Sequence, residues 1–248
     1  MEEIYILNGV KLDIPVIPIN RGFLYADGFF ESMLYRNGQI ELWDLHVQRL
    51  KNNCTTLYML PPDTDAIYNS VMQNIPADCT DKHIRIRLTI YRKGVGFYKP
   101  ENNEAEWLLH LMEIIPSATN ISKLSIEKNL KKNITPFSNL KSLNAQLFVI
   151  ITNNPEHTNA DEILLLNENG HVCETTSSNI FWQKGDTYYT PSLQTGCICG
   201  VMRQHLINTF TQEGTTIIEC AEPLETILNA DKVFVSNAVR GMREVVWI

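Results

Sequence analysis

A chain of 248 residues, 44% hydrophobic and 20% charged, has the composition of a globular protein with apolar material for one large or two modest cores. Its formal charge of −7 argues against a nucleic-acid or anionic-membrane partner, since a chain that repels phosphate gains from neither; a local positive site for a small anionic ligand stays open. Six cysteines in a chain this long, opening on the acidic Met1-Glu2-Glu3 with no apolar run able to span a bilayer, point to reduced thiols in a cytoplasm. Cys197-x-Cys199 lacks a second Cys/His pair at finger-like spacing and the six histidines stand singly, so no metal site is expected.

Along the chain, Ile4 to Leu7, an Asn8-Gly9 turn and Val10 to Ile14 read as a hairpin. Met33 to Tyr35, the Asn37-Gly38 turn and Ile40 to Leu42 read as another. Asp44 is placed to cap a helix with Leu45, Leu50 and Leu57 on one face, and a second helix is expected over Asp65 to Gln73. His83 to Tyr91 alternates as a strand does, with Ile84, Ile86, Leu88 and Ile90 on one side and Arg85, Arg87 and Thr89 on the other. A buried strand follows at Trp107 to Ile115.

Pro116 and the polar run after it mark a domain boundary. The organisation expected is an N-terminal α/β domain over 1–116, a linker over 117–121 and a C-terminal α/β domain over 122–248, with the ligand in the interdomain cleft. In the second domain, strands are expected at Leu124 to Glu127, Glu162 to Leu166, Asn179 to Gln183, Thr215 to Cys220 and Lys232 to Ser236. Helices are expected at Leu143 to Thr152, Gly200 to Glu213 and Pro223 to Leu228.

Several segments could carry chemistry. Asn20 to Glu31 is turn-rich and aromatic, with Arg21-Gly22 and Asp27-Gly28 inside it. Glu174-Thr-Thr-Ser-Ser-Asn179 joins an acid to small polar residues ahead of a strand. Gly196 to Arg203 opens a helix with glycines, where free backbone N–H groups can receive a phosphate. Each also has a plain reading as a turn or solvated loop, and Lys141 alone reads as a surface lysine.

Their order and spacing decide more. Leu45-His-Val-Gln-Arg-Leu50, Lys141-Ser-Leu-Asn144, Ala160-Asp-Glu162, Glu174 to Phe181, Thr190-Pro191 and Gly200-Val-Met-Arg203 together resemble fold-type IV pyridoxal-phosphate enzymes, the class IV aminotransferase-like family. The resemblance implies that family's two-domain α/β (α+β) architecture, with most of the cofactor site on a C-terminal pseudo-barrel domain. It implies pyridoxal 5′-phosphate held as a Schiff base on Lys141, with Glu174 facing the pyridine nitrogen. Arg49 and the N–H groups of Val201 and Met202 would grip the phosphate, Ser178 and Asn179 would line the ring, and Asn237-Ala238 would lie at the phosphate. Tyr25 and Arg21 fall in the substrate-side segment.

Methionine at 202 and Asn237-Ala238 stand where many aminotransferases carry threonine and Gly-Thr, and both match aminodeoxychorismate lyases. The Arg92-Lys-Gly-Val-Gly-Phe-Tyr98 loop lacks the Arg-x-His carboxylate trap of D-amino acid aminotransferases, leaving Arg92, Lys93 or Lys99 for substrate carboxylates. The expected reaction is therefore elimination from 4-amino-4-deoxychorismate to 4-aminobenzoate and pyruvate, a step of folate synthesis. Amino transfer from D- or branched-chain amino acids is the alternative, and a non-catalytic pyridoxal-phosphate binder the third reading. A homodimer is expected, as in most relatives.

Overall fold

The computed structural model describes residues 3–12, 19–116 and 119–248. Its backbone separates into two compact units, Met1–Pro116 with Lys141–Leu143, and Ser117–Leu140 with Asn144–Ile248.

The first unit is built on one antiparallel sheet of β1 (Ile4–Leu7), β2 (Val10–Leu12), β3 (Gly28–Arg36), β4 (Gln39–Ile40), β5 (His83–Arg92) and β6 (Ala105–Ile114), ordered β2-β1-β6-β5-β3-β4. The helices are α1 (Arg21–Tyr25), α2 (Trp43–Thr56) and α3 (Thr64–Asn74). Leu50 and Cys54 of α2 and Ile67 and Val71 of α3 join Phe29, Met33, Ile84, Ile86, Leu88 and Ile90 in one core. Strand alternation does the rest. With the isoleucines turned to the helices, Phe30, Arg85, Arg87 and Thr89 are only half-buried on the other face.

Gly28 is dictated by space. A Cβ there would lie 2.2 Å from the Ile90 carbonyl oxygen and 3.0 Å from Leu143 Cδ1, because β3 is flanked by β5 on one side and residues 141–143 on the other.

The second unit carries an eight-stranded mixed sheet: β7 (Ile121–Ile126), β8 (Glu162–Leu166), β9 (Val172–Thr175), β10 (Asn179–Lys184), β11 (Thr187–Pro191), β12 (Ile217–Cys220), β13 (Lys232–Asn237) and β14 (Gly241–Trp247). Their order is β12-β11-β10-β13-β14-β7-β8-β9. Its helices are α4 (Gln146–Thr152), α5 (Val201–Gln212) and α6 (Leu224–Leu228). Leu124, Leu164, Val172, Ile180, Trp182, Ile227 and Val235 form its main core.

Several expectations are corrected. Asp44 does not cap α2: Leu42 occupies the cap position in a left-handed conformation (φ 54°), and Asp44 lies in the first turn, where its charge suits the helix dipole. The second hairpin pairs longer β3 with a two-residue β4 that ends at Ile40. The helix expected from Leu143 begins at Gln146, because Lys141–Leu143 is drawn into extended pairing with β3. Strands β9, β11 and β14 had no expectation; β14 lies inside the sheet, parallel to β7. Residues 13–14 of the first hairpin and 117–118 of the linker lie outside the described residues.

Candidate active site

Lys141 is placed by backbone pairing. Phe30 N–H donates to the Lys141 carbonyl at 2.9 Å, and Leu143 N–H donates to the Gly28 carbonyl at 3.1 Å, so the lysine rides on the edge of β3. Its Nζ lies 4.8 Å from the centroid of the Phe30 ring. The guanidinium of Arg87 lies 4.0 Å from the same centroid. Sequence reading placed Arg87 on this polar strand face without giving it a role. The signal that could have found it was an arginine diagonal to Phe30 on the same sheet face, which needs the register to see. Burial, with Arg85 nearby, holds the Arg87 guanidinium below its ordinary range.

On the helix side of β3, Glu31 is fully buried. Arg49 donates through Nε at 2.8 Å and through Nη2 to its two oxygens, and His46 Nδ1 lies at 2.6 Å. Burial pushes the Glu31 carboxyl up, but the Arg49 charge and the His46 contact outweigh it and hold the group at about 2. The Nε–Nη2 edge of Arg49 is thus engaged by Glu31, on the face of β3 away from Phe30. This also explains why the buried stripe of α2 is polar at His46 and Arg49 where leucines alone were expected.

Arg92 requires a correction. Its Nε and Nη2 donate to Asp27 at 3.0 and 3.4 Å, Nη2 also to the Leu57 carbonyl at 2.6 Å, and Nη1 to the Tyr58 carbonyl at 3.1 Å and Asn103 Oδ1 at 2.6 Å. All five N–H groups are used, so nothing is left for a substrate carboxylate. Lys93 is paired with Glu104 at 2.8 Å. Arg21 and Tyr25 hold the loop that follows: Arg21 Nη1 donates to the Val95 and Phe97 carbonyls at 3.2 and 2.6 Å, and Tyr25 Oη to the Gly96 carbonyl at 2.5 Å.

In the second unit, Glu174 on β9 is 2% exposed. One carboxylate oxygen accepts from Lys132 Nζ and the other from the Ile198 N–H at 2.8 Å. A carboxylate has about four acceptor directions, so this acid can still accept from a ring N–H. The flanking Cys173 and Cys197 are buried, which together with the Glu174 charge pushes both thiols up, Cys197 to about 11.

The turn from β9 to β10 is tied to a second buried acid. Glu162 accepts from Thr175 Oγ1 (2.7 Å), Ser177 Oγ (2.6 Å), Ser178 Oγ (2.7 Å) and the Ser177 N–H (3.1 Å). Ser178 Oγ in turn accepts from Asn237 Nδ2 at 3.0 Å. Asn237 Oδ1 accepts from the N–H groups of Val239 and Arg240, so this side chain holds the turn carrying the half-buried Ala238. Asn179 Nδ2 donates to the Ile198 carbonyl at 2.8 Å. Glu162, Ser178 and Asn237 therefore share one network, in which the role of Glu162 was not foreseen, while Asn179 is tied to the segment at Ile198.

Helix α5 opens at Gly200 with no side-chain cap and no acid in its first turn, so the N–H groups at Val201 and Met202 stand at an uncompensated positive helix end. A Cβ at 200 would lie 1.8 Å from Asn179 Oδ1, which explains the glycine. Ser236, paired across the sheet with Asn179, has a buried hydroxyl with no partner among the described residues. The features of the second unit suit pyridoxal phosphate, with a helix start and an orphan hydroxyl for a phosphate and a buried acid for a ring nitrogen; the first unit, taken by itself, offers in Lys141 an amine of the kind an aldehyde takes. Among the described residues no His/Cys/Asp/Glu group could hold a metal, and no helix is long and apolar enough to cross a membrane.

Residues 28–248 match the amino-transferase class IV family, and the chain belongs to it. It is thereby an enzyme of a pyridoxal-phosphate-dependent family. Aminodeoxychorismate lyase of Vibrio harveyi is 27% identical over 91% of this chain and 84% of its own length, and that of Bacillus subtilis (strain 168) is 28% identical over 92% and 79%. D-alanine aminotransferase of Bacillus licheniformis is 24% identical over 88% and 77%. Among solved structures, 4-amino-4-deoxychorismate lyase from Pseudomonas aeruginosa superposes with a TM-score of 0.84 at 23% identity, covering 98% of this chain and 90% of that one. The branched-chain aminotransferase of Escherichia coli gives 0.85 at 17%, covering 98% and 86%. The two reactions share one fold, the fold-type IV architecture expected from the sequence.

Proposed function

We propose that this chain is a 4-amino-4-deoxychorismate lyase that releases pyruvate and forms 4-aminobenzoate. The observation that carries this reading is the likeness to two such lyases over about nine-tenths of the chain, above that to the aminotransferases. The full engagement of Arg92 supports it, because the loop then offers no arginine for an amino-acid carboxylate trap.

When bound, pyridoxal phosphate supplies an electron-accepting ring for the substrate carbon that bears the amine. Lys141 would hold it through its amine, and the Lys141 Nζ, once released, would take the proton from the amine-bearing carbon of the substrate. Glu174 keeps the ring nitrogen protonated. Val201 and Met202 N–H groups, Arg49 and the Ser236 hydroxyl hold the phosphate, with Ser178 and Asn179 along the ring. Arg87, beside Phe30, holds a substrate carboxylate. The C–O bond to the enolpyruvyl group breaks as the six-membered ring becomes aromatic, and a proton delivered to the departing enol gives pyruvate. Net amino transfer is not required.

The test is product formation by purified protein with pyridoxal phosphate. Formation of 4-aminobenzoate from 4-amino-4-deoxychorismate is expected; keto-acid-dependent amino transfer alone would refute the lyase reading in favour of a D- or branched-chain aminotransferase. Borohydride reduction followed by peptide mapping should place the cofactor on Lys141 and not on Lys132, the lysine bonded to Glu174. In the same reading the enzyme is a cytoplasmic homodimer. Exposed Phe23, Phe97 and Tyr98 offer an apolar contact, and sedimentation showing only monomer at micromolar concentration would count against it.

A further inference from the structure

We propose that Lys132 is a positioning residue for Glu174, fixing the direction in which that carboxylate is presented. The inference rests on the reading of Glu174 as the acid that faces the cofactor's ring nitrogen. Lys132 is 8% exposed, as unusual for a lysine as 2% is for its glutamate partner.

What makes the ammonium a fixed reference is that it is anchored apart from Glu174. Its backbone is bridged to the end of β8: Lys132 N–H donates to the Leu166 carbonyl at 3.0 Å, and Glu168 N–H donates to the Lys132 carbonyl at 3.1 Å. The Nζ also donates to the Ser138 carbonyl at 3.2 Å and lies 5.7 Å from the Phe148 ring centroid. Ser138 and Glu174 take two of the three N–H directions of the lysine, with the Phe148 ring close by.

Glu174 is thus held at both oxygens by donors of different kinds, a charged point contact on Oε1 and a backbone N–H on Oε2. Two donors on two oxygens set the plane of a carboxylate, whereas Ile198 alone would leave it free to turn about its last bond. The lysine takes one oxygen as a point charge and leaves an acceptor direction open. Ser138 lies three residues before Lys141 in the chain, so the same ammonium also steadies the segment leading to the reactive amine.

The experiment records the nitrogen-15 signal of ring-labelled pyridoxal phosphate bound to wild type, E174Q, K132M, K132R and the E174Q/K132M double variant, with kcat on the same samples. K132M should move the ring-nitrogen signal from the wild-type position toward that of E174Q and lower kcat by roughly tenfold or more, with K132R recovering most of both. In the E174Q background K132M should add nothing, because Lys132 acts only through Glu174. The double variant buries no charge, so this comparison decides the matter even if K132M alone does not fold. A wild-type signal with unchanged kcat in K132M, or an equal K132M effect with and without Glu174, overturns the inference. If E174Q itself leaves the signal in place, the reading of Glu174 falls as well; if E174Q moves it and K132M does not, only the role of Lys132 is lost.

Discussion

The two units each bury a carboxylate against a cation, and the difference between those pairs separates structure from chemistry. Glu31 in the first unit receives the Nε–Nη2 edge of Arg49 and a ring nitrogen of His46, which are strong contacts on both oxygens. Glu174 in the second receives one lysine and one backbone N–H. The more completely an acid is satisfied, the more it serves as a joint, here between β3 and α2; an acid with an acceptor direction in reserve can take part in a reaction. The neighbouring residues give no hint of this contrast, since both are glutamates beside small or apolar residues; only the ordered motifs single out Glu174.

The comparison can be broken from either side. The largest effect on turnover is expected at Glu174: E174Q should reduce kcat by about a hundredfold or more, because the amide keeps the shape and loses the charge that holds a ring proton, and it should also lower stability because the buried Lys132 loses its charge partner. A kcat within threefold of wild type would remove Glu174 from the chemistry. At Glu31 the expectation reverses. E31Q leaves Arg49 without its charge partner and should cost about 3–5 kcal/mol in urea unfolding, and more modestly affect kcat in the protein that remains folded.

Acid sharpens the same contrast. The Glu31 carboxyl sits at about 2 in the folded chain against an ordinary 4.5, so it contributes stability fully above the ordinary value and loses it as pH falls toward the folded one. Unfolding free energy should therefore decline between about pH 5 and about pH 2.5, with a shallower slope in E31Q. Equal slopes would show that Glu31 is not what acid attacks.

Smaller effects are expected further out. Arg87→Met should raise KM about tenfold with kcat changed less than about threefold, as befits a group that binds a substrate carboxylate in ground and transition states alike. A KM unchanged by that substitution would return Arg87 to a packing role against Phe30. Least conspicuous is thiol chemistry: Cys173 and Cys197 flank Glu174 but are buried, with thiols pushed up, so a thiol reagent at neutral pH should label half-buried Cys199 well before either. Early labelling of Cys173 would mean the Glu174 region opens in the native protein.

Much of the fold was legible because its signals are local. Alternation in His83 to Tyr91, the Asn8-Gly9 turn and the Gly200 helix start are set by neighbouring residues, and β5, the first hairpin and α5 follow them. Strand β14 was illegible because its place beside β7 joins segments more than a hundred residues apart, and nothing in Gly241–Trp247 announces that partner. The helix expected from Leu143 failed for a related reason: pairing of Lys141–Leu143 with β3 overrode local propensity.

By itself the sequence determined the family and the cofactor, because an ordered set of motifs keeps its spacing whatever the fold does around it. Only the tertiary structure decided how the charged groups are spent. It committed Arg92 to five internal bonds, gave an edge of Arg49 to Glu31, set Arg87 beside Phe30 and put Lys132 on Glu174. A buried charge must find its partner in space, and partners such as Lys132 and Glu174, forty-two residues apart, meet only when the sheet has formed.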